Sequence, residues 1–117
     1  MKAKETNARI IIDKMLLEAE WKLPGYVDAK DINVETEIVN DFGEADYVLI
    51  SSKDNYLCTL EAKNHSKSPL TGKEQARDYA KSLKCRFIIL SNGISHYLWD
   101  INQGNPFLIE RFPSQEE

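Results

Sequence analysis

Asp46, Glu61 and Lys63 lie close together near the middle of the sequence, in the stretch "GEADYVLISSKDNYLCTLEAKN" from Gly43 to Asn64. That stretch reads as two mostly apolar strands joined by a polar turn, "SSKDN". Side chains two apart on a strand share a face, so Glu61 and Lys63 point the same way, while Ala62 turns into the other layer. Counting back from the turn places Asp46 opposite Glu61. A slip of one residue would turn one acid to the other face. With that register held, two carboxylates and an ammonium meet at one end of a sheet. Close carboxylates repel unless a cation lies between them. A hard divalent ion with oxygen ligands suits such a pair, and a neighbouring lysine can orient a metal-bound water or balance charge on a phosphate. Together these parts suit metal-assisted phosphodiester hydrolysis. A charged strand end turned to solvent is the alternative that the same residues allow, although "LCTLEAK" is apolar until the charges begin.

The elements around this stretch follow from periodicity. Apolar residues at Ile11, Ile12, Met15, Leu16 and Ala19 predict a helix from about Lys4 to Trp21, ended by "LPGY". "VETEIV" alternates and reads as a half-exposed strand. After the paired strands and a polar loop, Thr71 and Glu74 match a capping box that starts a helix running to about Lys84. "RFIILSN" is apolar enough to be covered on both faces, and "NG" leads by a hairpin into "ISHYLWD". "PFLIERF" offers a short further edge strand. The order is αβββαββ, with a βαβ crossover that makes the strands flanking the second helix parallel.

With 117 residues, 42% of them hydrophobic and 29% charged, the chain fits one globular domain. No apolar run spans a bilayer and no signal-peptide pattern opens the chain, so a cytosolic protein without a membrane role is expected. Cys58 and Cys85 sit in apolar surroundings and read as core residues rather than a disulfide framework. His65 is a weak site candidate, and His96 reads as a strand surface residue. A net charge of −4 argues against a free-standing nucleic-acid binder.

Asp46 followed by Glu61-Ala62-Lys63 after 14 intervening residues resembles the PD-(D/E)xK nuclease superfamily. More closely, the chain resembles the N-terminal nuclease domain of the R subunit of type I restriction enzymes. "ARIIIDKMLLEAEW" looks like that family's first helix, "GEADYVL" carries its aspartate and "LEAK" its Glu-x-Lys pair. "GKEQARDYAKSL" is similar to its glutamine-tyrosine helix, and "FIILSNGISHYLWD" to its closing hairpin. Such proteins often read "AGW" where this chain has Ala19-Glu20-Trp21, a change read here as neutral, and Ala45 stands at the nominal proline position.

The resemblance implies an α/β restriction-endonuclease-like fold with a mixed central sheet flanked by helices. It implies an endonuclease domain over residues 1–112, with 113–117 beginning a linker toward helicase domains outside this chain. Asp46, Glu61 and the Ala62 carbonyl would hold Mg²⁺, for which Mn²⁺ could substitute. Lys63 would position the attacking water. Gln75 and Tyr79, four apart on one helical face, would reach the edge of the site. The acid that family members often carry on the first helix matches Glu5 best, with Glu18 and Glu20 as the alternatives. Lys67, Lys73 and Arg77 would meet phosphates of double-stranded DNA. Specificity and methylation subunits would be partners of the full-length protein, in a bacterial or archaeal cytoplasm. The chain has no GxxxxGK[ST] loop, so ATP would serve only motor domains outside it. Two rivals remain: a nuclease-fold binding module without catalysis, and a Holliday-junction or repair nuclease of the same superfamily.

Overall fold

Ala8, Ile12 and Leu16 recur every four residues and form the fully buried stripe of the first helix. The computed structural model describes residues 3–51 and 55–115 and places this helix, α1, at Ala3–Glu18. Ile11, expected on the buried face, is 37% exposed, because the stripe runs through Ala8 rather than beside it. Six strands follow in one sheet: β1 (Val34–Asn40), β2 (Gly43–Ile50), β3 (Tyr56–Ala62), β4 (Phe87–Ser91), β5 (His96–Asp100) and β6 (Phe107–Ile109). The second helix, α2 (Lys73–Ser82), lies between β3 and β4. The expected αβββαββ order is therefore present, with β6 as the short edge strand.

Strand order in the sheet is the order in the chain. Every neighbouring pair is antiparallel except β3 and β4, which run parallel on either side of the α2 crossover. A parallel pair needs such a crossover, and the crossover helix covers one sheet face. The two faces bury different sets. Tyr47, Leu49, Cys58, Leu60, Ala62 and Ile89 pack with α1 residues, while Val48, Ile88, Leu90 and Trp99 pack with Ala76, Tyr79 and Ala80 of α2. Cys58 and Cys85 are free and buried, one in each layer, as expected of core residues.

Several local expectations need correction. α2 does not open on a Thr71 capping box. A 3₁₀ turn, Pro69–Gly72, precedes it, and the Ser68 hydroxyl caps that turn by accepting from the Leu70 amide at 3.2 Å. Glu74 pairs forward with Arg77 at 3.1 Å instead of reaching back. The β4–β5 connection is a four-residue loop, in which the Asn92 side-chain oxygen accepts from the Ile94 and Ser95 amides. The expected "SSKDN" turn falls partly on residues 52–54, outside the described residues. Past residue 112, the chain still packs on the domain. Trp21 donates to the Pro113 carbonyl at 2.8 Å, and the Gln115 amide donates to the Ile50 carbonyl at 2.8 Å.

α1 stops at Glu18, before "LPGY", through backbone geometry alone. The Trp21 amide donates to the Leu16 carbonyl at 2.9 Å and the Glu20 amide to the Leu17 carbonyl at 3.0 Å, a Schellman closure. Glu20 takes φ 71°, the left-handed region that this closure favours for glycine. The Ala19-Glu20-Trp21 change is therefore not neutral for the backbone. Glu20→Gly should stabilise the domain by about 1 kcal/mol, read as a higher urea midpoint with an unchanged slope.

Candidate active site

Strand pairing brings the acids together. Tyr47 lies opposite Leu60 across β2 and β3, so the next step along the ladder sets Asp46 beside Glu61. The Ala62 amide donates to Asp46 Oδ2 at 2.8 Å, and the Asp46 amide donates to Glu61 Oε1 at 3.4 Å. Each acid thus holds its partner strand's backbone. Glu61 is 8% exposed. Burial, then the charge of Asp46, push its carboxyl up to about 9, while Lys63 pulls the other way. At neutral pH the pair therefore holds a proton, with Glu61 hydrogen-bonded to the Asp46 carboxylate.

Beside Asp46 the β1–β2 ladder is interrupted. Thr36 pairs with Tyr47 and Ile38 with Ala45, but Glu37 between them adopts φ 55° and makes no pair with Asp46. Arg9 of α1 fills the gap. Its guanidinium donates to the Asp46 carbonyl at 3.1 Å, approaches the Glu37 carboxylate at 3.7 Å and lies over the Tyr47 ring, 4.9 Å from its centroid. The Tyr47 hydroxyl in turn donates to Asp13 at 2.6 Å. Sequence reading did not single out Arg9. Its signal was weak but present: an arginine four residues before Asp13 and flanked by alanine and isoleucines on a core helix.

Lys63 and α2 complete the cluster. The Lys63 amide is fixed to the Ser91 carbonyl of β4 at 2.8 Å. Tyr79 is buried on α2, and burial followed by the charges of Glu61 and Asp46 raises its phenol, against a hydrogen bond with Gln75. Gln75 and Tyr79 therefore stand on the face of α2 turned to the carboxylates. The Tyr79 hydroxyl rests over Gly43, where a Cβ would come within 2.9 Å of it and where φ is 135°. Gly43 is thus required twice, by its backbone and by the tyrosine.

The type I restriction enzyme R protein N terminus family matches residues 22–113. The chain belongs to this family. No curated protein matches it. A solved fragment assigned as the HsdR subunit of a type I restriction enzyme from Vibrio vulnificus YJ016 superposes with a TM-score of 0.80 at 24% identity, over 97% of this chain and 24% of that one. That likeness shows the fold, and this chain spans about a quarter of the fragment's length. The type IIG restriction endonuclease BpuSI gives a TM-score of 0.48 at 15% identity, over 92% of this chain and 14% of that one.

In this R protein N-terminal domain the other expected site residues are placed less tightly. Lys73 and Arg77 both lie over the Trp99 ring, at 5.2 and 4.8 Å from its centroid, and Arg77 also pairs with Glu74. Trp99 itself is core, held by its donation to the Gly104 carbonyl at 3.0 Å. Lys67 is exposed on the loop after β3, its carbonyl accepting from Asn92 at 2.8 Å. Among the described residues, no hydrogen bond or ion pair joins these three cations to the carboxylates. Glu5 lies in the first turn of α1, but its side chain is outside the described residues. Arg9, one turn on, meets Asp46. Glu18 lies nine residues beyond Arg9, about 13 Å along the helix axis. Glu20 lies further still, past the helix end.

His96 is not a surface residue. It is 5% exposed, hydrogen-bonded to the Ser91 hydroxyl at 2.7 Å and packed edge-on against Phe112. His65 packs against Gly93, and among the described residues its buried Nε2 has no hydrogen-bond partner.

Two outcomes follow from this geometry. An ordinary glutamic acid ionises near 4.5, and in the fold Glu61 ionises near 9. The stability that its protonated form contributes is complete below pH 4.5 and is withdrawn as pH rises toward 9. Glu61→Gln should therefore match the parent near pH 4 and exceed it at pH 8 by roughly 1–3 kcal/mol in denaturant titrations without metal. Arg9→Met leaves the Asp46 carbonyl and Glu37 without the guanidinium and should lose roughly 2–4 kcal/mol, with Arg9→Lys recovering part of it.

Proposed function

We propose that this chain is the Mg²⁺-dependent endonuclease module of a type I restriction enzyme R protein, hydrolysing phosphodiester bonds of double-stranded DNA. The observation that carries the reading is the pairing of Asp46 with the buried Glu61, with Lys63 two residues on, at the end of a parallel strand pair. Membership of the R protein N terminus family supports a nuclease role in general.

The donor set fits a hard cation. Among the described residues, no group of three or more His, Cys, Asp or Glu is placed to hold a metal. Mg²⁺ needs no such group: it keeps several waters and takes one or two carboxylates plus substrate phosphate oxygens. Asp46, Glu61 and the Ala62 carbonyl would hold it, and Mn²⁺ would fit the same oxygens. Bound there, the ion supplies Lewis acidity and a water of lowered pKa.

The chain's own residues do the rest. Glu61 gives up its proton to bind, so affinity rises with pH toward 9. Lys63, on the same strand face as Glu61, orients the attacking water and offsets charge on the scissile phosphate. Gln75 and Tyr79 bound the site on the α2 side. Lys67, Lys73 and Arg77 would bind the DNA backbone, the last two pre-set by Trp99. With a net charge of −4, the domain depends on other parts of the full-length protein, and on specificity and methylation subunits, to bring it to DNA. ATP would be consumed only by motor domains outside this chain. A cytoplasmic setting goes with this role, and no helix among the described residues is long and apolar enough to cross a membrane.

Calorimetric titration of Mg²⁺ and Mn²⁺ into the chain, beside Asp46→Ala and Glu61→Ala, tests the metal site. Binding should be present in the parent and lost in both variants, whose circular dichroism stays native. In the full-length assembly both variants should lose DNA cleavage by at least about 100-fold and keep ATPase activity. Cleavage retained by either variant would sink the proposal.

A further inference from the structure

Gly72 stands where α2 begins, a position at which Ser, Thr, Asp or Asn would cap the helix. No side chain caps α2 there. The backbone does not explain the choice, because Gly72 has φ −101° and ψ 21°, open to any residue. Gly43 differs in this respect, since its φ of 135° alone calls for glycine. What surrounds Gly72 is Lys63. A Cβ at position 72 would come within 2.6 Å of Lys63 Cε and 2.9 Å of Lys63 Nζ. Those distances lie well inside van der Waals contact, and the atoms that would have to move are the ammonium and its neighbouring carbon. The lysine stem crosses the start of α2 through the space that glycine leaves empty.

We infer that Gly72 is a positioning residue for Lys63, leaving open at the α2 start the space that its Cε and ammonium occupy. This rests on the nuclease reading of Lys63, but the packing claim can be tested apart from it. A lysine terminus is flexible, so an alanine at position 72 would displace it at little expense to the fold. The displacement needed is a few tenths of an ångström to about 1 Å, and misplacement of that size lowers rates by roughly 10–100-fold.

The chain would be prepared with ¹³C-labelled lysine, and the Lys63 Cε signal identified by its loss in Lys63→Ala. Gly72→Ala should shift that signal, leave the other lysine signals in place and melt close to the parent. The double variant Lys63→Ala, Gly72→Ala should melt no lower than Lys63→Ala, since the clash has gone. In the full-length assembly, Gly72→Ala should lower the rate of cleavage about 10–100-fold without weakening DNA binding, and should add nothing to the loss already caused by Lys63→Ala. An unmoved Lys63 signal in folded Gly72→Ala overturns the proposal. So does a double variant as unstable as a misfolded Gly72→Ala, because the backbone would then be what demands glycine. Full cleavage by Gly72→Ala beside an inert Lys63→Ala overturns this proposal alone. Full cleavage by Lys63→Ala would remove the nuclease reading and this proposal with it.

Discussion

Two acids, one buried and one half-buried, are held side by side, and the repulsion between them sets the terms for everything around it. Asp46 and Glu61 meet because β2 and β3 pair in one register, and the same two residues help to fix that register by accepting from each other's strand. Without a cation the pair holds a proton, which is why Glu61 ionises only near 9. Buried like charges are tolerated only where something else gains from them. Here the local structure is arranged to keep that cluster in place.

The supports come from both layers of the fold. From one face, α1 sends Arg9 into the break in the β1–β2 ladder, where it donates to the Asp46 carbonyl. From the other face, α2 brings Tyr79 over Gly43 and leaves room at Gly72 for Lys63. One strained residue lies at the same place: Glu37 sits in the left-handed region across from Asp46. Strained residues persist where neighbouring contacts over-determine them, and sites of function are where they collect. Arg9, packed on Tyr47 and facing Glu37, is the contact that does so here.

The basic residues show a different economy of placement. Lys73 and Arg77 share the face of one buried indole, so two cations on successive turns of α2 are held at fixed positions rather than left to sample solvent. An overall negative charge then limits what the domain does alone.

Strand and helix order was legible in the sequence because it rests on local periodicity: alternation in "VETEIV", the apolar run "RFIILS", and the four-residue recurrence in the first helix. So was the cluster of Asp46, Glu61 and Lys63, since period-two geometry and a short turn leave few registers that bury the apolar faces. Helix ends were less legible. Glu20 in the left-handed region depends on backbone bonds that no residue type announces, and the Ser68 cap belongs to a 3₁₀ turn ahead of α2. Burial of His96 was decided by Ser91 and Phe112, which the sequence places on other segments. Arg9 and Gly72 were beyond sequence reading for one reason. An arginine on a helix and a glycine before one have many uses, and only the approach of Asp46 to the first and Lys63 to the second, across 37 and 9 residues of chain, decides which use applies.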